Sequence, residues 1–190
     1  MIVLSQRNAR LAYESYRGGG IVKAIITIKT GLAIAMLLCT RMAEGQVQSQ
    51  NIWQFISAAR SAIKSLSIDN LDDSLLTFRL SNENEYINFY SAEPVKLTDG
   101  QLISAIELRL SKRRGGMRPM LVFSAYNQCV TLASIKEHYH DLNITDYPRG
   151  RSENELTSFT TPADTNGQKI SFGFTVKEPG CLARVVIAGD

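Results

Sequence analysis

Histidine and cysteine are scarce in this chain, two of the first and three of the second in 190 residues. No Gly-x-Ser-x-Gly elbow, no phosphate-binding Gly-Lys-Ser/Thr loop and no Cys-x-x-Cys pair occurs, so the common signatures of serine hydrolases, nucleotide-binding loops and redox or zinc motifs are missing. His138 and His140 stand two apart, about 200° around a helix, and do not face one metal together. With Glu137 and Asp141 nearby, this stretch reads as a solvated helix face. No catalytic residue, no metal site and no cofactor is assigned, and the expectation is a protein that is not an enzyme.

Charge of one sign is also lacking once the chain is divided. The whole sequence carries a formal +3. Six of its 21 Lys and Arg and two of its 18 acids precede Gln46, which leaves 15 bases, 16 acids and a net of −1 in the remainder. A near-neutral domain lacks the basic field that nucleic-acid and anionic-membrane binders need.

A long hydrophobic run is absent too. Gly31–Cys39 is apolar for about nine residues, short of the ~20 that span a bilayer. Lys23 and Lys29 precede this run, and Ala43-Glu44-Gly45 follows it. Basic region, short apolar core and small residues at −3 and −1 are the order of a secretory signal. Residues 1–45 are therefore read as a leader with a signal peptide, and the mature protein as periplasmic or secreted with no membrane span. An uncleaved anchor and a buried helix are the alternatives, and the true start lies open. Cys39 has Leu38 rather than a small residue before it, which argues against a lipoprotein signal. Removing the leader leaves Cys129 and Cys181. An even pair in an oxidising compartment reads as one disulfide, with two separate buried thiols as the alternative.

In the mature chain Asn51 is placed to cap a helix over Ile52–Leu66, where Ile52, Ile56, Ala59, Ile63 and Leu66 recur at helical spacing. Asp69–Ser74 reads as a loop. Strands are expected at Leu75–Leu80, Tyr86–Tyr90, Gln101–Leu110 and Met120–Ser124. A second helix is expected over Thr131–Leu142, then a long loop Asn143–Glu155. Strands at Leu156–Thr161, Gln168–Val176 and Cys181–Ala188 complete the chain.

The two halves parallel each other. Ile87-Asn88-Phe89 and Ile170-Ser171-Phe172 follow similar Leu-Thr strands, and Glu93-Pro94 and Glu178-Pro179 come after each. Gly100-Gln101-Leu102 and Gly180-Cys181-Leu182 then open the last strands. Shared order of this kind reads as a duplication. The expected fold is α+β: two tandem units, 46–125 and 126–190, each a helix packed on a small antiparallel sheet. In element order over Asn51–Gly189 this resembles the tandem helix-plus-sheet β-lactamase inhibitory proteins, and a single unit resembles the small BamE-type outer-membrane assembly lipoproteins. The resemblance implies a non-enzymatic periplasmic protein that binds another protein.

Two surface loops are the candidate partner-binding residues. Lys112, Arg113, Arg114, Met117 and Arg118 surround Gly115-Gly116; Tyr147, Arg149 and Arg151 surround Pro148 and Gly150. Basic loops suit an acidic partner surface or an anionic polymer such as cell-wall glycan, and Tyr and Arg are enriched at binding hot spots. The alternative is that charge merely keeps a hairpin linker soluble. Asp72-Asp73 and Asn82–Glu85 are acidic loops, read chiefly as solvated turns. The functional expectation is an immunity or inhibitor protein acting against a secreted toxin or an envelope enzyme. An envelope assembly accessory factor and a small periplasmic hydrolase acting on cell wall are the alternatives.

Overall fold

The computed structural model describes residues 50–189; the expected leader and cleavage site lie outside them. Helix α1 is Ile52–Ile63. A 3-10 turn, Ile68–Asp73, leads to strands β1 (Phe78–Glu83), β2 (Ile87–Ala92), β3 (Val95–Lys96), β4 (Leu102–Ser111) and β5 (Met120–Tyr126). Helix α2 (Leu132–His138) follows, then β6 (Asn143–Asp146), β7 (Leu156–Thr160), β8 (Gln168–Thr175) and β9 (Arg184–Gly189).

All nine strands belong to one antiparallel sheet in the order β1-β2-β4-β5-β9-β8-β7-β6, with β3 also on β4. This overturns the expected α+β arrangement of two tandem helix-on-sheet units. β5 pairs directly with β9, from Met120↔Ala188 to Ser124↔Arg184, so the ladder is continuous from first strand to last. Each half contributes one helix, but both helices lie on the one shared sheet and not on sheets of their own. Among the described residues strands dominate, and the two helices span 12 and 7 residues. The stripe read over Thr131–Leu142 stops at His138 and buries a single helical residue, Ile135.

Asn51 forms a full capping box on α1: its Oδ1 accepts from the Gln54 N–H at 3.0 Å, and the Gln54 Oε1 accepts from the Asn51 N–H at 3.1 Å. The Ile52 N–H donates to Asp99 Oδ2 at 3.1 Å, which ties the helix start to the turn before β4. Along the helix Ile52, Phe55, Ile56, Ala59 and Ile63 are buried, one stripe at helical spacing.

That stripe meets the middle of the sheet, and register fixes the side. Val185 of β9 lies opposite Phe123 of β5 and opposite Phe172 of β8. Directly paired residues share a face, so all three side chains point the same way. The Phe55 ring meets Phe123 edge-on at 5.3 Å, and Tyr139, just after α2, meets Phe172 at 5.1 Å. Both helical segments therefore cover the same face, where Ile103, Leu108, Leu121, Ile170 and Ile187 complete the core.

Boundaries differ from expectation where packing outranks local pattern. Leu75 and Leu76 pack against the core near the end of α1 instead of pairing, so β1 begins at Phe78 and continues through polar residues to Glu83. As an edge strand it tolerates them. Asn143–Asp146, read as loop, is the opposite edge strand; its four residues are all exposed, so no alternation marks it. Cys181 and Leu182 are held by the disulfide and by a Leu182 N–H to Val130 C=O bond, so β9 starts later, at Arg184.

Candidate functional site

The second face of the sheet carries the residues that alternate with the core. By register it includes Ser104, Glu107 and Arg109 of β4, Val122 and Ser124 of β5, Val186 of β9, and Ser171 and Gly173 of β8. Across β2 it adds Phe89, opposite Arg109. Both helices lie on the other side, and among the described residues no helix or strand layer covers this face.

Its chemistry divides along the sheet. On the β2–β4 side the Arg109 Nε donates to Glu107 Oε1 at 2.7 Å, and the Arg109 guanidinium sits 5.5 Å from the Phe89 ring centre. Both charged side chains are 38% exposed, so this is a half-covered pair open to a partner. On the β6–β8 side hydroxyls form a ladder: Thr145 Oγ1 lies 2.6 Å from Thr160 Oγ1, which lies 2.8 Å from Ser171 Oγ. Sequence reasoning singles out none of these residues. The period-two alternation of β4 past its bulge, Ile106, Leu108 and Leu110 inward against Glu107 and Arg109 outward, is the signal that marks the charged pair.

The β4–β5 loop, Lys112–Pro119, opens at the end of the sheet where Met120 pairs with Ala188. Its cations have neighbours. Lys112 Nζ donates to Glu83 at 2.6 Å, the Arg113 guanidinium lies 5.2 Å from the Tyr86 ring centre, and Arg114 lies 3.8 Å from Asp69. Arg118 donates to the Asn166 carbonyl at 2.5 Å. Met117 lines a 620 Å³ groove between this loop and the 3-10 turn, with Leu66, Ile68 and Asp69 on the far wall. The acidic residue Glu83 is thus used by the loop, and Asn84 closes the β1–β2 turn by accepting from the Tyr86 and Ile87 N–H groups at 2.8 Å.

Tyr147, Arg149 and Arg151 sit in the β6–β7 loop, at the end where Leu156 pairs with Thr175. The two basic loops are therefore at opposite ends of the strands, with β9 and β8 between β5 and β7. The structure does not bring them together at one rim.

Cys129 and Cys181 are bonded, with Cα atoms 4.9 Å apart. The bond links the segment before α2 to the loop before β9. His138 stacks on Trp53 at 3.9 Å, nearly parallel, which joins α2 to α1. Burial raises the Tyr139 pKa, while the charge of Arg60 opposes the rise. Among the described residues no three His, Cys, Asp or Glu side chains converge on a point that would hold a metal, and no helix is long and apolar enough to cross a membrane.

No family model, no curated protein and no solved structure matches the chain.

Proposed function

We propose that the domain is an exported, non-enzymatic protein-binding module, periplasmic or secreted, of the immunity or inhibitor kind, whose partner is a secreted toxin or an envelope enzyme. The observation that carries this reading is the uncovered sheet face. It runs across several paired strands and is half-polar, with Phe89, Val122 and Val186 among Ser, Thr, Arg and Glu. Mixed faces of this composition resemble protein–protein interfaces in their balance of apolar and polar groups. A large sheet also keeps its shape on binding, so little ordering entropy is lost. The disulfide supports residence in an oxidising compartment, because cytosolic thiols are generally kept reduced.

The test is expression of the full chain with fractionation, followed by purification of the mature domain. A single stoichiometric partner in the periplasmic fraction is expected. Val122→Glu, half-buried and opposite Glu107 on the open face of a central strand, should cost about 1 kcal/mol through like-charge repulsion, leave the domain folded, and remove the partner. Recovery of the domain alone, or retention of the partner by the Val122→Glu variant, refutes the reading.

A further inference from the structure

Glu155 holds the neighbouring loop by its backbone. Its carboxylate accepts from three successive N–H groups: Arg149 at 2.5 Å, Gly150 at 2.9 Å and Arg151 at 3.1 Å. Gly150 has φ +77°, and a side chain there would meet nothing within 4 Å, so the glycine serves conformation and not space. This positive φ turns consecutive N–H groups toward one anion, the geometry of a backbone nest. The same residue fixes the next loop as well, since the Val176 N–H donates to the Glu155 carbonyl at 3.0 Å.

The consequence concerns the two guanidiniums. Glu155 is satisfied by main chain, Glu153 by Lys177 Nζ at 3.2 Å, and Asp146 by the Tyr147 N–H at 2.9 Å. Each local acid has a donor. Neither the Arg149 nor the Arg151 side chain has any hydrogen bond, ion pair or ring contact among the described residues. Every cation of the β4–β5 loop, by contrast, has an acid, a carbonyl or an aromatic ring within reach. Beside the free pair stand two exposed apolar groups, Tyr147 at 63% and Val176 at 49% exposure.

We infer that the Tyr147–Arg151 loop is the charged grip of this domain, and that it takes an acidic segment of the partner protein, with Tyr147 and Val176 supplying apolar contact. The inference rests on the protein-binding reading above and adds to it one loop and one partner chemistry. Arg binds carboxylates through paired N–H donors, stronger than neutral hydrogen bonds. A loop whose backbone is already pinned keeps those donors in place at small entropic cost. The partner's acids complete what the loop's own acids leave open.

The experiment uses a hexaglutamate peptide titrated into the 15N-labelled domain at low salt, with hexalysine as control. Shifts confined to the amides and side-chain Nε–H groups of residues 149–151 are expected with hexaglutamate only. R149A/R151A should weaken that binding at least tenfold, with unchanged melting, and R113A/R114A should alter it less than twofold. Shifts mapping to 112–118, or none at all, overturn the inference. The partner from the co-purification gives the second arm. A partner bound equally well by R149A/R151A sinks this inference alone, whereas absence of any partner sinks the wider reading.

Discussion

Arg60 Nη2 donates to Asp164 Oδ2 at 2.8 Å, joining α1 to the β7–β8 turn across 104 residues. Gln168 adds a second tie, its Nε2 donating to the Arg60 carbonyl at 3.2 Å. A helix from the first half of the chain is thereby fixed to a turn of the second. The Asp164 pKa falls from its ordinary 3.8 to about 2. The Gln168 N–H is the largest cause; partial burial opposes it, and the Asn166 N–H and Arg60 add to the lowering.

A depressed carboxylate stabilises the fold only while ionised. The contribution of Asp164 is therefore complete above its ordinary 3.8 and is lost as pH drops through about 2. Asp164→Asn should lower the urea midpoint at pH 6, and the gap to the parent should close as pH approaches 2. A gap that is the same at both pH values would show that the charge of Asp164 contributes nothing.

The disulfide encloses a 52-residue separation. Cross-linking a loop of that length removes enough unfolded-chain entropy to contribute about 4 kcal/mol. C129S/C181S should lose on that order in denaturant unfolding, and alkylation of the unreduced protein should label neither Cys129 nor Cys181. Two labelled cysteines in periplasmic material would refute the bond and weaken the case for export.

Ala105 lies in the bulge of β4, where register shifts between Ser104 and Glu107, and its φ is +48°. The left-handed region costs a non-glycine residue about 1–2 kcal/mol. The bulge is what lets Ser104 and Glu107 share the open face while Ile103 and Ile106 both stay in the core. Ala105→Gly should therefore be neutral to stabilising, despite the usual glycine penalty in strands, and should raise melting where any other strand-interior Gly lowers it. A loss of more than about 1 kcal/mol, the size of that penalty, would contradict the account.

The readable parts of this fold are those set by local chemistry. Asn51 and the Ile52–Ile63 stripe mark α1; the alternation of Ile106, Leu108 and Leu110 with Glu107 and Arg109 marks β4 and its two faces beyond the bulge. What escapes such reading is long-range. Pairing of β5 with β9 depends on Leu121↔Ile187 and Phe123↔Val185, aliphatic and aromatic positions that would suit many partners. Nothing in either strand names the other, so the sequence suggests two sheets where one forms. At the candidate site, the Arg loops are legible as charge. The role of Glu155 is not, because a carboxylate held by main-chain N–H groups leaves no side-chain partner in the sequence.

Trp53 is the sole tryptophan and reports on the docking of α2. Its ring lies 3.9 Å from that of His138 with 15° between the planes, and Tyr139 is 6.4 Å away. The His138 Nδ1 lies 3.0 Å from the Ser134 carbonyl, which sets the ring's orientation from within α2. Stacked pairs contribute about 0.5–1.5 kcal/mol beyond burial, and this one is the link between two helices that otherwise meet through the core. His138→Ala should uncover one face of the indole, shift its emission to the red and lower stability by about 1 kcal/mol, within that range. His138→Phe keeps a flat ring and should restore the emission. Reduction of the disulfide should shift it in the same direction as His138→Ala, because Cys129 is two residues before the cap of α2 at Thr131. Emission unaltered in His138→Ala would mean that the stack is not held in solution, and that α2 docks through Leu132, Ile135 and the following Tyr139 without it.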